Sequence, residues 1–416
     1  MRRFTELSPE EYEQFELNHS MGSYTQSAKQ YELLSTRGRN PILIGVKDDN
    51  TIVAAALITT EKTKFGSVFL FDRGPLIDFS DDSLVSYFVN SCVQFAKKHG
   101  VLYIEWVPNV SYQLTDNKGV TQKIVNEELI AKLEKYNFQH QPFSFGMSTN
   151  GSPTWEYQKK LTGIVDNAEL TKSYTKNVQY YLKKNQQFGI QLRQLKRSEL
   201  SEFKKLTQKT ADRLHYHDKS LAFYEDVYDI YGEDATFIFA ELDFETYINS
   251  EQTKRDNLIT KLVNIQHKID KYPLQNKFKR QYQEFEDQKN HHDSRIAKAT
   301  QQYEKARKRK VVVAGALFIK QPQEITYLYS GTYEEYMDYY GPYQIQDTMI
   351  RSAMTENIPI YNFYGISGLF DGSDGVLGFK TAFNGYARQL IGSFILPVNP
   401  IKYKAYRLLK KLSGRA

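Results

Sequence analysis

Two periodicities alternate along this chain. Short β-branched or aromatic runs at residues 42–46, 52–59, 68–71 and 102–106 predict strands. Between the last two, residues 82–99 place Leu84, Phe88, Cys92 and Phe95 at spacings near 3.6, which predicts a helix with one buried face that ends at Gly100. Upstream, Ser8-Pro9-Glu10-Glu11 predicts a helix start, with Ser8 as N-cap and Pro9 in the first turn. The rhythm then repeats. Residues 155–161, 190–194 and 236–242 read as strands, and 167–187, 198–210 and 219–231 as helices. It resumes with strands at 311–319 and 324–330, a helix at 343–355 and an aromatic strand at 361–364. Two successive α/β units of about 150 residues, without residue-level repetition, predict a duplicated architecture.

An insertion at 247–309 interrupts the second unit. Leu258, Leu262, Ile265 and Ile269 step by four, three and four. Lys271-Tyr272-Pro273 breaks the helix, and Phe278, Tyr282, Phe285, Ile296, Ala299 and Tyr303 resume the seam. So narrow a seam predicts an antiparallel two-helix coiled-coil arm.

Composition refines this picture. At 416 residues the chain exceeds one ordinary core. No run of about 18 apolar residues exists, which predicts no transmembrane helix. Residues 1–15 lack the apolar centre of a signal peptide, so a cytoplasmic protein is expected. The single cysteine, Cys92, excludes an internal disulfide and a cysteine-based zinc site; its expected role is packing. The 31 tyrosines suit wide, partly wet clefts. Charge is uneven: residues 248–310 hold 16 Lys/Arg and 8 Asp/Glu, a balance of +8 against +6 for the whole chain. Basic residues gather at the arm's tip (Lys268, Lys271, Lys277, Lys279, Arg280) and base (Arg307, Lys308), and such a projection suits contact with a phosphate backbone. Residues 401–416 form a second basic stretch. Lys402, Lys404, Arg407, Lys410, Lys411 and Arg415 stand beside Tyr403, Tyr406, Leu408, Leu409 and Leu412, a helix suited either to packing on the first domain or to peripheral membrane contact.

The richest segment is 361–400. An aromatic strand runs into Gly365-Ile366-Ser367-Gly368, an Asp/Gly/Ser connection follows at 371–375, and Gly378-Phe379-Lys380 leads to Phe383 and Gly385. Taken alone, Lys380 beside Phe379 reads more readily as a snorkelling surface lysine than as a functional one. The segment resembles the C-terminal signature of the Fem (FemABX) family of tRNA-dependent aminoacyltransferases, which build the interpeptide bridges of bacterial peptidoglycan. Residues 361–368, 375–380 and 397–400 reproduce the family's pieces in order. The resemblance implies an α/β fold of two tandem GNAT (acetyltransferase)-like domains. The expected organisation is a first domain at 1–150, a second at 151–245 plus 311–395, the coiled-coil arm at 246–310, and a C-terminal basic helix at 396–416.

Further matches extend the resemblance upstream. Ser23-Tyr24-Thr25-Gln26 followed by Tyr31 is similar to the family's entry motif. Its phosphate-binding lysine is replaced by Leu34, leaving Arg37 or Lys29 to substitute. Asp72-Arg73-Gly74-Pro75 matches the family's RGP turn, where Arg73 can bind phosphate or carboxylate, or equally pair with Asp72 or Asp78. Tyr103–Pro108 matches a strand usually ending in Asp-Pro. That aspartate is Val107 here, and alternation puts Glu105 on the same face as a substitute. Arg213, followed by Tyr216, matches the family's phosphate-binding arginine. The substrate-contact set implied is therefore Arg213, Arg73, Tyr364, Gly365, Tyr216, Arg37, Gln26 and Glu105, with Lys380 as the catalytic cation facing the oxyanion. His215 and His217 lack the companions of a metal site. No phosphate-binding loop, dinucleotide fingerprint, nucleophile elbow or CoA loop is present, so no cofactor and no metal are expected.

The function implied is transfer of an amino acid from aminoacyl-tRNA to an amine of the stem peptide of a lipid- or nucleotide-linked peptidoglycan precursor, in the cytoplasm or peripherally at the inner face of the membrane. The alternatives are an inactive RNA- or cell-wall-precursor-binding protein on the same fold, and an acyl-CoA N-acyltransferase, for which CoA binding discriminates.

Overall fold

The computed structural model describes residues 1–146 and 151–412; Arg415 lies outside them. Its framework is two sheets. The first runs in the order Arg2–Glu6, Ile42–Asp48, Thr51–Thr63, Gly66–Arg73, Val101–Pro108, Phe394–Pro397 and Gln139–His140, with Leu76–Ile77 paired to Thr51–Thr63. The second runs Gln191–Gln194, Ala235–Asp243, Lys310–Lys320, Glu324–Thr332, Ile360–Ile366, Trp155–Lys160, Tyr386–Leu390, Ser111–Thr115 and Thr121–Ile124.

Each sheet contains an antiparallel meander followed by one parallel pair, Gly66–Arg73 with Val101–Pro108 and Glu324–Thr332 with Ile360–Ile366. A parallel pair needs a crossover. The helices Asp82–Lys98 and Gly341–Thr355 supply it, burying Leu84, Phe88 and Cys92 in one case and Ile345, Met349 and Ile350 in the other. The sheets also exchange strands. Ser111–Thr115 pairs with Tyr386–Leu390 in the second sheet, while Phe394–Pro397 enters the first beside Val101–Pro108. Neither sheet therefore comes from one continuous stretch of chain.

The helix expected over 167–187 is two, Asn167–Ser173 and Lys176–Phe188. Tyr174 is extended between them, and the Thr175 side chain caps the second. Ser8 and Glu11 form a full capping box at Pro9–Glu16. Gly375–Thr381, to which the sequence assigned no element, is a short helix capped by Asp374, whose Oδ1 accepts from the Val376 and Leu377 amides at 2.9 Å.

The insertion forms two long helices, Phe244–Lys271 and Asn276–Ala306, joined by four residues and hence antiparallel. Leu258, Leu262, Ile265 and Ala299 are buried along the seam. Glu251, buried at 1% exposure, ties the helices together by accepting from Lys254, His292 and Arg295. Among the described residues, no helix is long and apolar enough to cross a membrane.

Candidate active site

Four stretches singled out in the sequence meet where the sheets adjoin. Tyr24 and Tyr364 join hydroxyls at 2.8 Å, bringing the entry motif onto the aromatic strand. The Gln26 amide passes over Gly74, where a Cβ would lie 2.8 Å from the Gln26 side chain. Only glycine fits that approach, which couples the entry motif to the Arg73-Gly74-Pro75 turn. Arg73 and Tyr364 both hold left-handed backbone, at φ 58° and 64°. That conformation is costly for non-glycine residues, and they cluster in it at functional sites. The Asn362 side chain supports the second by accepting from the Tyr364 amide at 2.8 Å.

At the centre lies Glu156, buried on the Trp155–Lys160 strand. Its Oε1 accepts from Arg73 Nη2 at 2.7 Å, and its Oε2 from Arg388 Nη2 and Nε at 2.6 and 2.9 Å and from Asn362 at 3.2 Å. Burial opposes ionisation, but Arg388 and then Arg73 hold the Glu156 carboxyl below its ordinary range. Burial and the Glu156 charge push Glu324, which shares Asn362 with it, the other way. Among the described residues Arg73 Nη1 is buried without a partner, although Nη2 reaches both Glu156 and the Pro153 carbonyl. One cationic donor is thus left over for a ligand. Arg388 Nη2 also donates to Asn109, on the wall of an open cavity of about 820 Å³ lined by His19, Met21, Phe79, Asn126 and Lys132.

Lys380 sits beside this cluster at 4% exposure. Its Nζ donates to the Gly365 carbonyl at 2.6 Å and has no other hydrogen-bond partner among the described residues. Burial drives the Lys380 ammonium down to about 7, against the opposing pull of Asp374 and Glu156. A second buried lysine shows the contrast. Lys159 donates to the Phe383 and Asn384 carbonyls at 2.9 Å and lies over the Tyr174 ring, so its bonds brace the chain just past Lys380. Lys380 keeps spare hydrogen-bonding capacity and lies within the field of Glu156, the carboxylate that Arg73 also meets. Such a site can take or give a proton near neutrality and can face a developing oxyanion.

The remaining expected contact residues divide. Tyr364, at the end of the aromatic strand, is pushed up to about 12, chiefly by burial. Arg213 and Tyr216 are exposed, at and just beyond the end of the helix Leu200–Leu214. Among the described residues Arg213 has no ion-pair partner. Tyr216 and Tyr329 influence each other's field, as Tyr329 and Tyr364 do, so this loop borders the aromatic approach to the cluster. Gln26, by contrast, is fully buried. Its amide bonds the Leu57 and Asp72 carbonyls, the Leu57 amide and the Tyr12 hydroxyl, which leaves nothing for a substrate.

Arg37 is likewise committed, bonding Asp226 at 2.6 Å over the Phe223 ring, and Lys29 bonds Asp234 and the Tyr231 carbonyl. These two cations tie the helix Ala28–Thr36 to Leu221–Tyr231. Neither stands in for the lysine missing at Leu34, which packs against the Leu7 and Tyr12 cluster. Glu105 accepts from Ser393 at 2.5 Å, between the first sheet and the C-terminal segment, and burial raises it. Arg73 pairs with Glu156, from the other half of the chain, and with neither Asp72 nor Asp78.

Glu156, Arg388, Asn362 and Tyr24 carry no individual signal in the sequence. Asn362 and Tyr24 lie inside the motifs described above. Glu156 is hidden by alternation: the run WEYQKK reads as a strand with one wet face, yet the strand is central in its sheet, between Ile360–Ile366 and Tyr386–Leu390, and residues 155–159 are buried on both faces.

The family model described as "FemAB family" matches residues 7–411. Aminoacyltransferase FemA of Staphylococcus aureus strain MRSA252 is 30% identical over 429 aligned positions, covering 99% of each chain. The same protein from strain N315 matches at the same identity and coverage. A crystal structure of FemX superposes with a TM-score of 0.75 at 21% identity, covering 97% of this chain and 99% of that one. This last likeness concerns the fold.

Proposed function

The chain belongs to the FemAB family, and on that premise we propose that it transfers an amino acid from aminoacyl-tRNA to an amine on the stem peptide of a peptidoglycan precursor, in the synthesis of interpeptide bridges. Relatives named aminoacyltransferases, matched over nearly the whole chain, support the transfer itself. The observation that carries the chemistry is Lys380, buried, with a single carbonyl partner and an ammonium that loses its proton near 7.

Neutral Lys380 accepts the proton of the attacking amine as the new C–N bond forms. The ammonium so produced stands beside the carbonyl oxygen as it becomes an oxyanion, and the proton leaves with the ribose hydroxyl when the ester C–O bond breaks. Arg73 Nη1, buried and unpartnered among the described residues, is the second donor we assign to that oxyanion. The direct test is incubation with a pool of charged tRNA and lipid-linked precursor, followed by mass analysis of the stem peptide. A gain of one amino-acid residue is expected, and an unchanged mass overturns the reading.

The tRNA donor draws on the arm. Lys254, Arg255, Lys289, Arg295, Lys298 and Arg309 all pair with acids. Lys268, Lys271, Lys277, Lys279 and Arg280 at the tip, and Arg307 and Lys308 at the base, have no ion-pair partner among the described residues. Charges left free in this way suit a polyanion. Exchanging the five tip cations for Gln should weaken tRNA binding and flatten the dependence of log K on log salt, by roughly 0.7–0.9 for each phosphate that is no longer neutralised. Unchanged affinity and slope would make the arm a spacer.

Arg213, exposed and unpaired among the described residues, is the expected ligand of the precursor's phosphates. Arg213→Ala should raise the acceptor KM by the equivalent of about 1.5–3 kcal/mol while the aminoacyl-tRNA KM holds. An unchanged acceptor KM removes Arg213 from the site.

A further inference from the structure

The C-terminal helix Pro400–Leu412, capped by Asn399, carries two apolar faces. One is used: Tyr403 is buried and Tyr406 half-buried against Tyr103 on the Val101–Pro108 strand. The other is not. Ile401, Leu408 and Leu412 recur at spacings of seven and four, on the side of the helix away from Tyr403. They are 83%, 61% and 75% exposed, and Leu409 flanks them at 47%. Packing of the tyrosines fixes the direction in which this stripe faces.

The stripe does not stand alone. Phe65, exposed at the tip of the hairpin between Thr51–Thr63 and Gly66–Arg73, packs edge-on against Tyr406 with ring centroids 5.9 Å apart, adding an exposed aromatic to the same edge. Around these apolar groups stand the exposed cations Lys402, Lys404 and Arg407 on the helix and Lys62 and Lys64 on the hairpin. The helix itself carries no acid. The elements beside it carry Glu61 on the hairpin and Glu105, half-buried on the Val101–Pro108 strand and within the field of Lys410.

We infer that this face binds the surface of an anionic bilayer, with the helix lying in the interfacial plane. Ile401, Leu408, Leu412 and Phe65 enter the headgroup–acyl boundary, and the lysines and Arg407 meet lipid phosphates. Two features favour a bilayer over a protein partner. The stripe is one helix wide and about 20 Å long, well short of the roughly 800 Å² per side of a stable protein interface. Lysine is also depleted in such interfaces, whereas here it forms the rim.

The inference is independent of the aminoacyl-transfer reading and is tested without substrates. The intact protein is sedimented with vesicles of phosphatidylglycerol mixed with phosphatidylcholine, and with phosphatidylcholine alone. It should pellet with the anionic vesicles and release as salt rises. Leu408→Ser/Leu412→Ser, which alters only side chains already in water, should abolish binding while circular dichroism and thermal unfolding stay those of the parent. Lys402→Gln and Lys404→Gln should each weaken binding roughly fivefold. Equal partitioning onto both vesicle types overturns the inference, as does undiminished binding by the Leu408/Leu412 variant. A concentration-dependent dimer broken by that variant, without vesicle binding, overturns it in favour of a self-association face.

Discussion

Lys380→Met is expected to lower kcat by about 10² or more while the KM values for aminoacyl-tRNA and acceptor stay nearly unchanged. On the proposed mechanism the charge that Lys380 meets exists only in the transition state, and an interaction made only there appears in kcat. Lys380→Arg should rescue poorly. A guanidinium keeps its proton and presents its donors in a planar fork that does not fit a site shaped around one Nζ on the Gly365 carbonyl. In the parent, kcat should rise with pH through about 7, because the neutral amine is the form that accepts a proton, and this limb should vanish in Lys380→Met. A kcat that falls as pH rises through 7 would make the ammonium the acting form. Preserved kcat with raised KM would make Lys380 a ground-state ligand.

Stability separates this effect from misfolding. The Lys380 value is depressed on folding from an ordinary 10.5 to about 7. The unfolded chain therefore binds more protons between those values, and Lys380 makes stability rise with pH across that window. Its penalty is full below it. Lys380→Met removes the penalty and should be at least as stable as the parent at pH 6, even though it is nearly inactive.

Glu156→Gln should have the largest effect on stability, about 3–5 kcal/mol, because it breaks a buried ion pair and strands the partners. Arg73 and Arg388 reach Glu156 through different carboxylate oxygens, and Arg73 comes from the first half of the chain. The loss should register in chemical denaturation as a lower midpoint. A second readout is specific to the site: Glu156 holds the Lys380 ammonium up, so its neutralisation should move the acid limb of kcat below 7. An unchanged midpoint together with an unchanged limb would reduce Glu156 to a bystander. In the parent, the Glu156 contribution is present above the ordinary glutamate range and is lost as pH falls through its lowered value.

The residues of this site were unequally legible. Lys380, Arg73, Tyr364 and Arg213 stand in motifs that show only through the resemblance to the family, and Arg213 lies exposed at the end of Leu200–Leu214 rather than in the Glu156 cluster. Arg37 and Gln26 also stand in or beside a motif, but the first is taken up by Asp226 and the second by backbone groups around Leu57 and Asp72. A motif marks a position without stating whether its side chain faces a ligand or the interior. Glu156 gave no signal, because a lone glutamate in a strand reads as solvent-facing until both neighbouring strands are known.

The features legible in the chain are local. The 3.6-residue spacing of Leu84, Phe88 and Cys92 dictates the crossover helix, the Ser8–Glu11 capping box a helix start, and the Leu258–Ile265 seam the arm, because each depends on residues within a few turns of one another. The strands Ser111–Thr115 and Phe394–Pro397 each join the other half's sheet, a choice made by edge pairing between residues almost 300 positions apart that no local pattern encodes. Tertiary structure alone decided that Arg73 would find Glu156 and that Lys380 would lie dry against Gly365. A proton affinity near 7 is a property of that burial, since the same lysine in water keeps its proton to 10.5.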